Sequence, residues 1–218
     1  MCESAKTSNE HVPPKCIFPE LKDISDFINR RHNLITVPSC DKHNSSKSKD
    51  DEYLLYVLST SITSNSVGHT QANSKVKRAV AEKPFLFNQF CQNSALTLFT
   101  NFNTDEKSDA IAILVDGERV NLILDKCARA LYFHTTGEKF VGTANVINGF
   151  LLSSQENSEN KLKIFEQTEK IFMLYPYLGN NQDTFRYKII DIKQSAMLLL
   201  EFYGTSKVIV DFRSNIAN

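Results

Sequence analysis

The chain has 218 residues, enough for one ordinary domain or for a small catalytic module with a supporting domain. Apolar residues make up 41% and include 15 Phe, so a substantial core can form, and Trp is absent. The 25 basic and 25 acidic residues cancel, which excludes the strongly basic footprint of a dedicated nucleic-acid-binding domain but leaves room for a local patch.

No apolar run approaches the ~20 residues needed to span a bilayer. Residues 1–10 are too polar to read as a signal peptide, so no membrane association is expected and the cytoplasm is the expected location. The five Cys (Cys2, Cys16, Cys40, Cys91 and Cys127) are odd in number and irregular in spacing. Without a secretion signal they read as reduced thiols or metal ligands rather than as a disulfide framework.

Residues 1–52 are polar, rich in turn formers and sprinkled with Cys, His and Asn. Residues 53–66 place Tyr53, Leu54, Leu55, Val57, Leu58 and Ile62 at helical spacing, and Asp50 and Asp51 suit the start of a helix. A second helical stretch spans 74–92, with Val76, Ala79 and Val80 followed by Phe85, Phe87 and Phe90 after Pro84. From 95 onward the pattern turns toward strands. Residues 110–115, Asp116-Gly117 and 120–124 have the form of a hairpin around a tight turn. The family resemblance set out below implies instead a helix from about 120 to 134 for the second arm, ended at Thr136-Gly137, and that reading is preferred. The polar run 153–160 reads as a loop or linker. The tail, 185–212, reads as two or three strands with a turn at Gly204.

Three short pieces in the first quarter carry candidate chemistry. Glu10-His11-Val12-Pro13-Pro14-Lys15 puts an acid beside an imidazole, a metal ligand next to a general base. Neighbours on a strand point to opposite faces, so a bend or the two prolines must aim both at one site. Asn33-Leu34-Ile35-Thr36-Val37-Pro38 is a short apolar strand opened by an Asn whose side chain can tie loop backbone together. Cys40 and His43 have a C-x-x-H spacing compatible with zinc, and Asn44 offers a hard oxygen ligand suited to Mg or Mn.

Taken in order, Glu-His-Val-Pro-Pro-Lys, Asn-Leu-Ile-Thr-Val-Pro-Ser-Cys, then His43-Asn44 and Ser-Lys-Asp-Asp-Glu-Tyr resemble the HNH endonucleases. The match is closer to bacterial members with a Glu-His-Val-Pro-Pro-Lys box, and it covers residues 2–53. The segment from Lys126 to His134, with Thr136-Gly137-Glu138, is more loosely similar to a stretch downstream of the motif in such proteins. The resemblance implies an α+β fold. An N-terminal ββα-metal (HNH) module over 1–60 would be followed, over 61–218, by a mixed helix and antiparallel-strand domain that positions substrate or a partner.

It also implies roles. His11 would be the general base that activates a water, Glu10 a metal ligand, and Asn33 a brace for the loop between the strands. Asn44 would take the last ligand position, and Lys47 or Lys49 would contact the scissile phosphate. One divalent cation, Mg or Mn, with Ni, Co or Zn as substitutes in vitro, would sit on that phosphate. Cys2, Cys40 and His43 remain as candidates for a structural zinc, where a closed site takes four ligands; Cys16 would have to supply the fourth. The implied activity is hydrolysis of nucleic-acid phosphodiesters, DNA in preference to RNA, in a bacterial antiviral-defence or mobile-element setting, with a homodimer or an activating protein as partner. The alternatives are a catalytically inactive HNH-like subunit that binds nucleic acid or protein, and a purely structural zinc scaffold.

Each residue also has a plainer reading. A lone Glu-His is usually a surface pair, and an isolated Asn33 is a turn residue. Cys40 reads equally well as a buried thiol. Lys47, Lys49, Lys75, Lys77 and Arg78 are more often a solvated face than a phosphate track. Arg129 reads as structural, and the Phe groups at 85–90 and 99–102 as core.

Overall fold

A computed structural model describes residues 7–40, 47–100, 104–151, 155–192 and 195–214. The fold is α+β with antiparallel sheets. Strands β1 (Ser8–His11) and β2 (Thr36–Ser39) pair antiparallel, with Glu10 opposite Val37 and His11 opposite Thr36. The long connection between them contains two 3-10 turns, Lys15–Ile17 and Leu21–Asp23. Helix α1 (Ser48–Ser59) follows, with Asp50 and Asp51 in its first turn, where the helix dipole favours acids. It starts five residues before the apolar spacing announces it and ends at Ser59.

Asn65 caps helix α2 (Ser66–Gln71) by accepting from the backbone N–H groups of Val67 and Gly68. The chain continues through a π-helical turn, Ala72–Val76, into α3 (Lys77–Glu82). Pro84, at the first position of α4 (Pro84–Cys91), breaks the run, as its missing N–H requires. Strands β3 (Ser94–Thr100) and β4 (Lys107–Ile113) form a hairpin of their own.

The segment after Asp116 is a helix, α5 (Gly117–Thr136). The Asp116 side chain accepts from the Arg119 N–H, and Gly137, at φ +77°, ends the helix in the left-handed region that favours glycine. The final layer is a four-stranded antiparallel sheet of order β5-β8-β7-β6. Its strands are β5 (Gly142–Asn148), β6 (Phe185–Ile192), β7 (Ser195–Phe202) and β8 (Ser206–Ser214).

One expectation is corrected. Residues 155–160, read as loop, open helix α6 (Gln155–Phe172). Their polar composition hides the helix because its buried anchors, Phe165 and Phe172, lie seven residues apart at its far end.

The sheet is buried on both faces. Ala196, Leu198, Leu200 and Phe202 of β7 join one core with α1 and α5, while Leu199 joins Ile190, Ile209, Phe165 and Phe172 beneath α6. That alternation is the period of two of a strand. Each fully buried Leu or Phe here contributes about 1.5–3 kcal/mol of transfer free energy. The larger cluster also takes in Val12, Ile17, Val37 and Leu54, so the first sixty residues share a core with the C-terminal sheet. Among the described residues no helix is long and apolar enough to cross a membrane.

Candidate functional site

Strand β1 ends at His11, and the prolines that follow turn the chain sharply; the Val12–Pro13 peptide is cis. As a result Glu10 and His11 both line one cleft of about 370 Å³, although they are neighbours on a strand. The cleft runs between β1, the Lys15–Ile17 turn, the start of α1 and the π-helical turn. Cys16 helps to close it by donating its thiol hydrogen to the Asp51 carbonyl, at 3.3 Å. From behind, Arg119 of α5 holds the start of α1. It bonds Asp50 Oδ1 at 2.9 Å and lies 4.3 Å from the centre of the Tyr53 ring.

At the cleft floor the Lys47 ammonium sits between two carboxylates. It pairs with Glu10 Oε1 and lies 3.6 Å from Asp51 Oδ1, while Ser39 Oγ donates to Glu10 Oε2 at 3.2 Å. Burial opposes the Lys47 charge, but the Glu10 hydrogen bond and Asp51 outweigh it, and its pKa stands above the ordinary lysine value. Burial pushes the Asp51 carboxyl up to about 6, with Glu10 adding to the effect and Lys47 resisting it. His11 is shifted the other way. Burial first, then Lys15, Lys47 and Arg31, hold its pKa below the ordinary value of about 6.5. Its Nδ1 is buried with no hydrogen-bond partner among the described residues. A buried polar atom left over in this way is uncommon in a folded protein and calls for a ligand, a water or a proton-transfer role.

These groups can do acid–base chemistry near neutral pH. The imidazole is neutral and able to accept a proton, and Asp51 titrates close to the same range. The donor set also suits a hard divalent cation, since Glu10 and Asp51 already converge on a single positive charge. Among the described residues, however, no group of three or more His, Cys, Asp or Glu is arranged to hold a metal.

The remaining expected site residues fall elsewhere. Asn33 stands at the surface in the connection between β1 and β2 and does not line the cleft. Its backbone is left-handed, at φ +53°, and its carbonyl accepts from Asn180 Nδ2 at 3.2 Å. Cys40 is buried and forms no disulfide. Cys2, His43 and Asn44 lie outside the described residues.

Sequence reasoning did not single out Asp51 or Lys15, and it weighed Lys75 as surface charge; all three line the cleft. For Asp51 the signal was present: Lys47 and Asp51 stand four apart, and that spacing stacks them on one helix face. Comparison of the chain with protein-family models, with curated proteins and with solved structures finds no match.

Proposed function

We propose that the chain is a metal-dependent endonuclease of HNH type, hydrolysing phosphodiester bonds of nucleic acid, DNA in preference to RNA. The observation that carries this reading is the meeting of Glu10, His11, Lys47 and Asp51 in one cleft, between a strand that pairs antiparallel with β2 and the helix that follows the pair. That order is what a ββα-metal module requires, and it falls on the residues whose motif resembles the family.

In this reading His11 takes the proton from an attacking water while the water oxygen bonds to phosphorus. The P–O bond to the leaving sugar oxygen breaks, and that oxygen is protonated from solvent. The lowered pKa of His11 keeps the base unprotonated at pH 7. Glu10 and Asp51, with Asn44 as the resemblance implies, would hold a Mg- or Mn-type ion. Such an ion supplies charge stabilisation on the phosphate when bound. Lys47, freed from its carboxylates, is placed to contact a phosphate oxygen.

The Lys47–Glu10 pair, which occupies the carboxylate that a metal would need, favours a second reading, an inactive HNH-like binding subunit. Plasmid nicking with added Mn²⁺ or with EDTA separates the two. A nuclease nicks only with the ion, and Glu10→Ala raises the Mn²⁺ concentration it needs. If the full chain never nicks in Mn²⁺ or Mg²⁺, the nuclease reading is wrong.

A further inference from the structure

The cleft has two electrostatic ends. The floor carries Glu10 and Asp51 around Lys47, and the opposite wall is basic. We propose that Lys15 and Lys75 on that wall form a second phosphate subsite, which takes the phosphodiester flanking the one that is cut. The inference rests on the nuclease reading for its ligand, a nucleic-acid strand.

Four observations support it. First, the wall is under-neutralised. Glu20 is the one carboxylate facing Lys22 at 2.9 Å, Arg31 at 3.2 Å and Lys75 at 3.8 Å, and it does not line the cleft. Lys15 is exposed and makes no ion pair among the described residues. The lining also includes Glu52, which the Tyr56 hydroxyl engages at 2.6 Å, so Lys15 is a lining cation with no close carboxylate among the described residues, and a cation of that kind on a concave surface attracts anions even where the whole chain is neutral.

Second, Lys75 is placed by a departure from regular helix. The buried residues on its element are Val67, Gly68, Gln71 and Val76, the last two spaced five apart. The π-helical turn at Ala72–Val76 absorbs the extra residue. It keeps Val76 in the core and leaves Lys75 on the cleft side. Such turns recur at functional sites.

Third, the two lysines belong to one rigid wall. Gln71, fully buried, donates through Nε2 to the carbonyls of Cys16 and Ile17, at 2.9 and 2.8 Å. The turn bearing Lys15 and the helix bearing Lys75 therefore move together, and the subsite needs no ordering when a strand arrives.

Fourth, the Lys75 side chain is only 25% exposed. Burial lowers its pKa, and Arg31 and Arg78 press in the same direction. A partly desolvated ammonium of this kind gains more from an incoming phosphate than a surface lysine does.

The test is fluorescence anisotropy of a fluorescein-labelled single strand of about 15 nucleotides, within the usual range of strand-binding sites. Its duplex forms a second arm. Both are titrated in EDTA across a series of NaCl concentrations with the full chain. Lys15→Gln and Lys75→Gln are each expected to weaken binding several-fold, uniformly across sequences, and to flatten the salt dependence by about one counterion. Lys75→Arg is expected to restore the parent slope. Lys163→Gln, an equal loss of charge on exposed α6, is expected to leave it unchanged.

The subsite is overturned if the parent shows no salt-dependent binding. It is also overturned if both cleft variants keep the parent slope, or if Lys163→Gln flattens it equally. Flattened slopes in a chain that never nicks DNA in Mn²⁺ keep the subsite and remove the nuclease. Nicking with unchanged slopes does the reverse.

Discussion

The four-stranded sheet and the cleft at β1, β2 and α1 are built on opposite principles. In the sheet buried charged groups are matched. Glu201, almost fully buried, accepts from Arg186 at 2.8 Å and from the Tyr177 hydroxyl at 2.6 Å, and the strands around it pair over seven or eight residues. In the cleft they are not. Strands β1 and β2 pair over four residues. Phe27 and Asn33, in the connection between them, adopt positive φ, each at a cost of about 1–3 kcal/mol. His11 Nδ1 lacks a partner among the described residues, and one lysine serves two carboxylates. Two buried side chains help to join the two regions: Tyr203, in the turn between β7 and β8, at 2.6 Å, and Gln71 both donate to the Ile17 carbonyl.

The comparison can be broken at the sheet, at the joint or in the cleft. The largest effect on stability is expected from Phe202→Ala, which empties a fully buried position of β7. It should cost about 3–5 kcal/mol in urea unfolding, while cleavage per folded molecule stays unchanged. A loss of cleavage in the fully folded fraction would mean that the sheet is part of the site.

Gln71→Leu should cost about 1–3 kcal/mol, because it takes the side-chain donor from the Cys16 carbonyl and leaves the Ile17 carbonyl with Tyr203 alone. It should also weaken cleavage, since the basic wall loses its anchor. Tyr203→Phe is the milder cut, about 1 kcal/mol, because the Ile17 carbonyl keeps its bond from Gln71.

The smallest effects are pH shifts. Folding lowers the pKa of His11, so its contribution to stability is present above about 6.5 and is lost as pH falls through the folded value. Folding raises Asp51 to about 6, so its contribution is present below about 3.8 and is lost as pH rises through 6. The two slopes oppose each other in mild acid. Asp51→Asn should therefore unmask a urea midpoint that rises between pH 5 and 7. In cleavage, the acid limb of kcat/KM should lie below about pH 6.5. Lys15→Gln, which removes the largest charge acting on His11, should move that limb to higher pH. A limb that stays in place would show that Lys15 is too well solvated to be felt.

Much of the scaffold was legible because its signals are local. Gly137 ends α5, Pro84 opens α4, and Gly204, at φ +76°, turns β7 into β8, whereas Asp116, which with Gly117 has the form of a hairpin turn, caps α5. Helix α6 was obscured because its first turns are polar and its anchors come late. In the site, the bend that Glu10 and His11 require is present at Pro13-Pro14. Lys75 could not be placed from sequence. It is more than sixty residues from His11 in the chain, and a five-residue gap between Gln71 and Val76 breaks the helical period that would locate it. Asn33 illustrates the converse. Its place in the motif points to the site, yet it lies at the surface outside the cleft, where its own carbonyl accepts from Asn180.

The claim that this cleft hydrolyses phosphodiesters is tested most directly by nicking of supercoiled plasmid in Mn²⁺, comparing the parent with His11→Ala. We expect His11→Ala to be slower by about 10²–10⁴-fold, with an unchanged unfolding midpoint at pH 8, where the imidazole is neutral in both states. Equal nicking by the two proteins would contradict the account.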